Sequence, residues 1–148
     1  MVSIDRIKKL RDETGVSISE CNAALEKSGG DAEKAKLFLK KMGKQIAQKK
    51  AQRTTQQGII DSYIHPNKKL GVILELDCET DFAAKSADFQ ALAHELCLQI
   101  AGWQEEGVSL LEQPWIKDGT KTIKDLVDEY IAKVGENIVI KRFIRYQT

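Results

Sequence analysis

The chain has 148 residues, 42% of them hydrophobic, 6% aromatic and 30% charged. That is enough for one ordinary domain, or for a small module joined to a modest one, with a mostly aliphatic core. The mix is too apolar for a disordered chain and too charged for a membrane protein, and no apolar run approaches the roughly 20 residues that span a bilayer. The formal net charge of +1 argues against a general nucleic-acid binder, but it is a cancellation. Residues 1–53 carry 13 Lys/Arg and 7 Asp/Glu, whereas residues 54–148 carry 10 and 15.

The start of the chain, MVSIDRIKKL, mixes charges with single apolar residues and has neither the signal-peptide nor the transit-peptide pattern. Cys21, Cys78 and Cys97 are an odd count at unrelated spacings, which reads as a reduced intracellular chain without a disulfide framework. The expected location is cytoplasmic.

Three short helices are predicted first. Ile4, Ile7 and Leu10 recur at helical spacing before Gly15. Ser17 and Glu20 fit a capping box opening a second helix, which turns Cys21, Ala24 and Leu25 inward and ends at Gly29-Gly30. Asp31 caps a third, carrying Ala32, Ala35, Leu37, Phe38 and Leu39, with Gly43 as a left-handed stop. Between Lys34 and Arg53 stand eight basic residues, and only Ile46, Ala47 and Ala51 make a thin apolar stripe after the stop. This stretch reads as a solvated helical connector.

From Gly58 the period shifts to that of strands. Residues 59–64 and 70–77 flank the turn His65-Pro66-Asn67-Lys68-Lys69 as an antiparallel hairpin, with Val72, Leu74 and Leu76 on one face. Phe89, Leu92, Ala93, Leu96, Cys97 and Ile100 mark a helix ending at Gly102, and Trp103 to Thr120 reads as a loop. Ile123, Leu126, Val127, Tyr130, Ile131 and Val134 mark another helix, capped by Gly135, before a last strand from Ile138 to Tyr146. The expectation is an α+β fold: a three-helix module over 1–44, a basic helical linker over 45–56, and over 57–148 a small antiparallel sheet covered by helices.

Motifs of covalent chemistry are missing: there is no phosphate loop, nucleophile elbow, dinucleotide fingerprint or zinc-protease motif. His94 and Cys97 lie one helical turn apart, but Cys97 belongs to the apolar stripe, and no metal or cofactor is expected. The basic stretch lacks interleaved aromatics beyond Phe38, which argues against direct RNA binding. The most unusual segment is Cys78-Glu79-Thr80-Asp81-Phe82-Ala83-Ala84-Lys85, where acids precede a helix start. Spacing alone assigns Phe82 to the core, seven residues before Phe89.

Three ordered blocks resemble the elongation factor Ts family. The first is Leu10-Arg11-x-x-Thr14-Gly15 with Cys21-x-x-Ala24-Leu25 and Gly30-Asp31-x-x-x-Ala35. The second is Gly71-Val72-Ile73-Leu74-Glu75-x-x-Cys78-x-Thr80-Asp81-Phe82-x-Ala84-Lys85, and the third is Ile131-Ala132-Lys133-Val134-Gly135-Glu136-Asn137-Ile138. The resemblance implies a guanine nucleotide exchange factor for elongation factor Tu, with no covalent chemistry of its own. It implies an N-terminal module similar to a ubiquitin-associated domain, docking on the GTPase domain through Leu10, Arg11, Thr14, Ile18 and Ser19. It also implies that the turn of Thr80, Asp81, Phe82 and Lys85, with Gly135, Glu136 and Asn137, meets the GTPase beside its nucleotide. There Phe82 is an exposed wedge, and Asp81 disturbs a magnesium shell that tolerates little distortion.

The chain departs from the family at Ile18 and Ser19, where two Met are usual, and at Ala83, where Val is usual. Gly102 to Gly107 directly bridges the place of a helical insertion, which removes the ground for expecting a homodimer through it. The alternative is a relative that binds a GTPase or an RNA without driving exchange.

Overall fold

The computed structural model describes residues 2–148. Its helices are α1 (Ile4–Thr14), α2 (Ile18–Lys27), α3 (Ala32–Lys50), α4 (Asp81–Ala84), α5 (Ala87–Gly102) and α6 (Ile123–Val134). Its strands are β1 (Gln57–Ile64), β2 (Leu70–Cys78), β3 (Pro114–Trp115), β4 (Asp118–Thr122) and β5 (Ile138–Gln147). The architecture is α+β, and no helix among the described residues is long and apolar enough to cross a membrane.

Local chemistry explains the helix ends. Ser3, Ser17 and Asp31 accept main-chain amides at the starts of α1, α2 and α3, satisfying donors a helix leaves unpaired. Only half of the expected capping box at Ser17 forms, because Glu20 accepts the Ser17 hydroxyl instead of its amide. Gly15 closes α1 in the left-handed region at φ 71°, a conformation that costs glycine little. Ile7, Leu10, Cys21, Ala24, Leu25, Ala35 and Leu39 make the apolar interior of this helical end. The buried stripe is narrower than expected, with Ile4, Ala32 and Leu37 exposed.

Gly43 is not a stop. It lies inside the 19-residue α3 with helical backbone, and the helix continues to Lys50. The expected solvated connector is therefore a packed helix. Gly43 faces α6, where an added Cβ would stand 3.8 Å from Ala132 Cβ, and Ala47 joins the core. Two small residues one turn apart let the helices approach closely, and the apolar stripe looked thin because it is made of such residues. Charges finish the contact. Lys44 Nζ lies 2.7 Å and Lys40 Nζ 3.5 Å from the Asp125 carboxylate of α6.

The main sheet has the order β1–β2–β5, antiparallel throughout, with Ile59 opposite Leu76 and Leu74 opposite Phe143. Val72, Leu74 and Leu76 point inward together, as strand alternation requires. α4 and α5 lie on the sheet, while α6 packs chiefly on α5 and α3. The expected covering of the sheet by both long helices is thus a stack of sheet, α5, α6 and α3. The expected Trp103–Thr120 loop contains a short hairpin, β3–β4. Buried Gln99 on α5 secures it by donating to the Pro114 carbonyl (3.0 Å) and accepting from the Ile116 amide (2.9 Å).

Candidate functional site

β2 is the central strand, and its last residue, Cys78, is buried. The chain then leaves the sheet through Glu79 and Thr80 into α4, a single turn of four residues. Thr80 caps it, its hydroxyl accepting from the Ala83 amide at 3.2 Å. Ala83 and Ala84 turn into the core, and Phe82 turns out with 88% of its surface exposed. The core position that spacing alone assigns to Phe82 is therefore not the one it occupies. Four positions cannot all face inward in one turn of 3.6 residues, and the two alanines take the inner side.

Beside this turn lies the loop after α6. Gly135 caps that helix at φ 81°, and Glu136 and Asn137 follow. The Glu136 carboxylate accepts three hydrogen bonds from the turn: the Glu79 amide at 3.1 Å, the Thr80 amide at 2.9 Å and the Thr80 hydroxyl at 2.6 Å. In return, the Glu79 carboxylate accepts the Asn137 amide at 2.7 Å. The buried Asn137 side chain donates to the Arg53 carbonyl at 3.0 Å, and Lys50 Nζ donates to the Gly135 carbonyl at 2.8 Å. The end of α3, the loop after α6 and the turn after β2 are thus fastened at one place.

Electrostatics separate the outer edge of this site from its floor. At the edge, Asp81 and Lys85 are exposed and pair across one helical turn at 2.9 Å, which raises the Lys85 pKa. On the floor, burial first and the nearby Glu136 charge second push the Cys78 thiol up to about 11, so it stays protonated and chemically quiet.

Thr80, Asp81, Phe82, Lys85, Gly135, Glu136 and Asn137 are therefore brought into one neighbourhood. The other five candidates belong to the helical end. Leu10 is 2% exposed, so its side chain builds the module's interior and offers no surface to a partner. The Thr14 hydroxyl donates to the Leu10 carbonyl at 2.7 Å, and Arg11 pairs with Asp12. Ile18 and Ser19 are exposed at the start of α2. Thr14 also lines an open cleft of about 1050 Å³ whose far wall includes Trp115, Tyr130 and Lys133.

Sequence reasoning missed Glu79, Lys50 and Arg53 as parts of the site. Lys50 and Arg53 looked like two more members of a basic run, and their partners lie more than 80 residues away or across the fold. Five of the eight basic residues between Lys34 and Arg53 are engaged: Lys36 with Glu13, Lys40 and Lys44 with Asp125, Lys50 with the Gly135 carbonyl, and Arg53 near Glu79. The run is largely an internal fastening.

A family model described as elongation factor TS matches residues 79–148, which start at the turn and include the loop that holds it. The elongation factor Ts of Coprothermobacter proteolyticus is 42% identical over 191 aligned positions, covering 98% of this chain and 97% of that protein. The elongation factor Ts proteins of Thermotoga petrophila (40% identical, 99% and 96% covered) and Thermodesulfovibrio yellowstonii (39% identical, 99% and 96% covered) align similarly. An alignment of 191 positions exceeds the 148 residues available here, while nearly all of both chains is covered. The difference in length is therefore internal. With near-complete coverage at about 40% identity, and a family match over the turn and its holding loop, the chain belongs to the elongation factor Ts family of translation elongation factors.

Proposed function

We propose that this protein is a guanine nucleotide exchange factor that promotes GDP release from elongation factor Tu, without covalent chemistry of its own. The observation that carries this reading is a large aromatic side chain, Phe82, 88% exposed on a turn that is capped and braced from the loop after α6 and the end of α3. Exposing an aromatic ring forgoes its burial, and burying it in a partner would contribute about 2 kcal/mol, or roughly thirtyfold in binding. If the pocket for Phe82 opens only when the nucleotide site is disturbed, that energy goes into loosening GDP. Coupling of this kind is reciprocal: bound GDP weakens the exchange factor by the same factor.

Asp81 stands beside the wedge, paired with Lys85 at the protein surface. An exposed ion pair is weak in water, so Asp81 can leave Lys85 and act near the partner's magnesium ion. That ion requires near-octahedral oxygen geometry, and a small displacement weakens its bridge to the phosphates. Arg11, Thr14, Ile18 and Ser19 supply a second docking surface on the helical end. Direct RNA binding is not part of the proposal, since five of the eight basic residues of the run are already engaged within the protein.

The test is release of labelled GDP from elongation factor Tu, with the wild-type protein and with Phe82→Ala. The proposal expects faster release with the wild type and a loss of most of that acceleration in the variant. Binding without any change in the GDP off-rate would favour the non-catalytic relative instead.

A further inference from the structure

Because Phe82 is almost free of its own protein, its direction is set by the backbone of α4. A four-residue helix cannot hold itself, since a first turn fixes about six dihedral angles for one hydrogen bond. Its support comes from the burial of Ala83 and Ala84 on its inner side and from Glu136 at its start. The Thr80 hydroxyl donates its single proton to Glu136 Oε2 at 2.6 Å, and its oxygen accepts from the Ala83 amide at 3.2 Å. A hydroxyl has one proton and two lone pairs, so committing the proton aims a lone pair at Ala83. Glu136 Oε1 meanwhile gathers the amides of Glu79 and Thr80. The relay from Glu136 through Thr80 to Ala83 spans the stretch of backbone that carries Phe82.

Glu136 is itself fixed. It follows the left-handed Gly135, whose carbonyl accepts Lys50, and precedes Asn137, whose amide is accepted by Glu79. The carboxylates of Glu79 and Glu136 therefore each accept a main-chain amide from the other's segment.

We infer that Glu136 is a positioning residue for nucleotide exchange: it holds the α4 turn formed so that Phe82 reaches the GTPase preorganised, and it need not touch the partner. The inference rests on the exchange reading above. A wedge whose turn is formed only part of the time binds more weakly by that fraction. Loss of the carboxylate leaves Glu79 and Thr80 amides that water can reach, so the turn loosens while the core remains.

A double-mutant cycle decides the matter. GDP release from elongation factor Tu is measured for the wild type, Glu136→Ala, Phe82→Ala and the pair, with amide hydrogen exchange at Thr80 and Ala83 as a structural readout. The expected result is a drop of about tenfold in exchange efficiency for Glu136→Ala, with lost protection at Ala83 and an unchanged circular dichroism spectrum. In the Phe82→Ala background the same change should matter within about twofold, because no wedge is left to position. Glu136→Gln should restore most activity, since a carboxamide oxygen accepts the same amides and its nitrogen can donate to Thr80.

An undiminished tenfold loss in the Phe82→Ala background would overturn the inference and make Glu136 a direct contact. Normal release by Glu136→Ala, with slow release by Phe82→Ala, would overturn positioning alone and leave exchange standing. Phe82→Ala indistinguishable from the wild type would remove the wedge, and the inference with it.

Discussion

Replacing Asp125 with Asn tests how the helical end is fastened to the core. The carboxylate is 11% exposed and accepts Lys44 Nζ at 2.7 Å, with Lys40 Nζ at 3.5 Å and the Thr122 amide at 3.1 Å. Burial opposes its ionisation, but the Lys44 hydrogen bond, the Thr122 amide and the Lys40 charge outweigh it and hold the pKa at about 2, against an ordinary 3.8. That depression corresponds to roughly 2 kcal/mol in favour of the docked state, trimmed to about 1–2 kcal/mol because Lys44 is half exposed. The folded pKa lies below the unfolded one, so the contribution is full above about pH 4 and is lost as pH falls toward about 2.

Asn keeps an oxygen for the Thr122 amide, so the cap of α6 persists and the charge alone is removed. Urea unfolding followed by circular dichroism should show Asp125→Asn less stable by about 1–2 kcal/mol near pH 6, with the gap closing near pH 2. A gap that stays constant across this range would refute the assignment of the contact to charge.

Two further outcomes follow from packing. Gly43→Ala should raise unfolding stability by about 0.5–1 kcal/mol, because Ala is the better helix former and its Cβ would sit in ordinary contact with Ala132; a loss measured in urea would contradict a helical Gly43. Burial foremost pushes the thiols of Cys78 and Cys97 up to about 11 and about 12, and raises that of Cys21. A thiol reagent near pH 8 should therefore label the three buried cysteines only on unfolding, and rapid native labelling would contradict their burial.

Periodicity reports the elements that bury one face. Val72, Leu74 and Leu76 announce β2, and the apolar spacings of Phe89 to Ile100 and Ile123 to Val134 announce α5 and α6. It fails where local and tertiary explanations look alike. A glycine near the end of an apolar helical stretch resembles a cap, and only the approach of Ala132 reveals Gly43 as a packing contact. The β3–β4 hairpin escapes because Asp118-Gly119-Thr120-Lys121-Thr122 carries no apolar alternation; its support comes from Gln99 on a distant helix. Resemblance brought Phe82 out of the core, but neither resemblance nor spacing shows how the turn is held. The bonds between Glu79, Thr80 and Glu136 join residues 56 and 57 positions apart, and charge patterns carry no trace of such pairing.

The most direct measurement is the rate of labelled-GDP release from elongation factor Tu on adding this protein or its Phe82→Ala variant. Phe82 is 88% exposed, so the substitution should leave folding stability within about 0.5 kcal/mol. It should reduce the acceleration of release by roughly thirtyfold, the worth of burying the ring in the partner. Equal acceleration by the two proteins, at equal stability, would contradict the exposed wedge as the source of exchange.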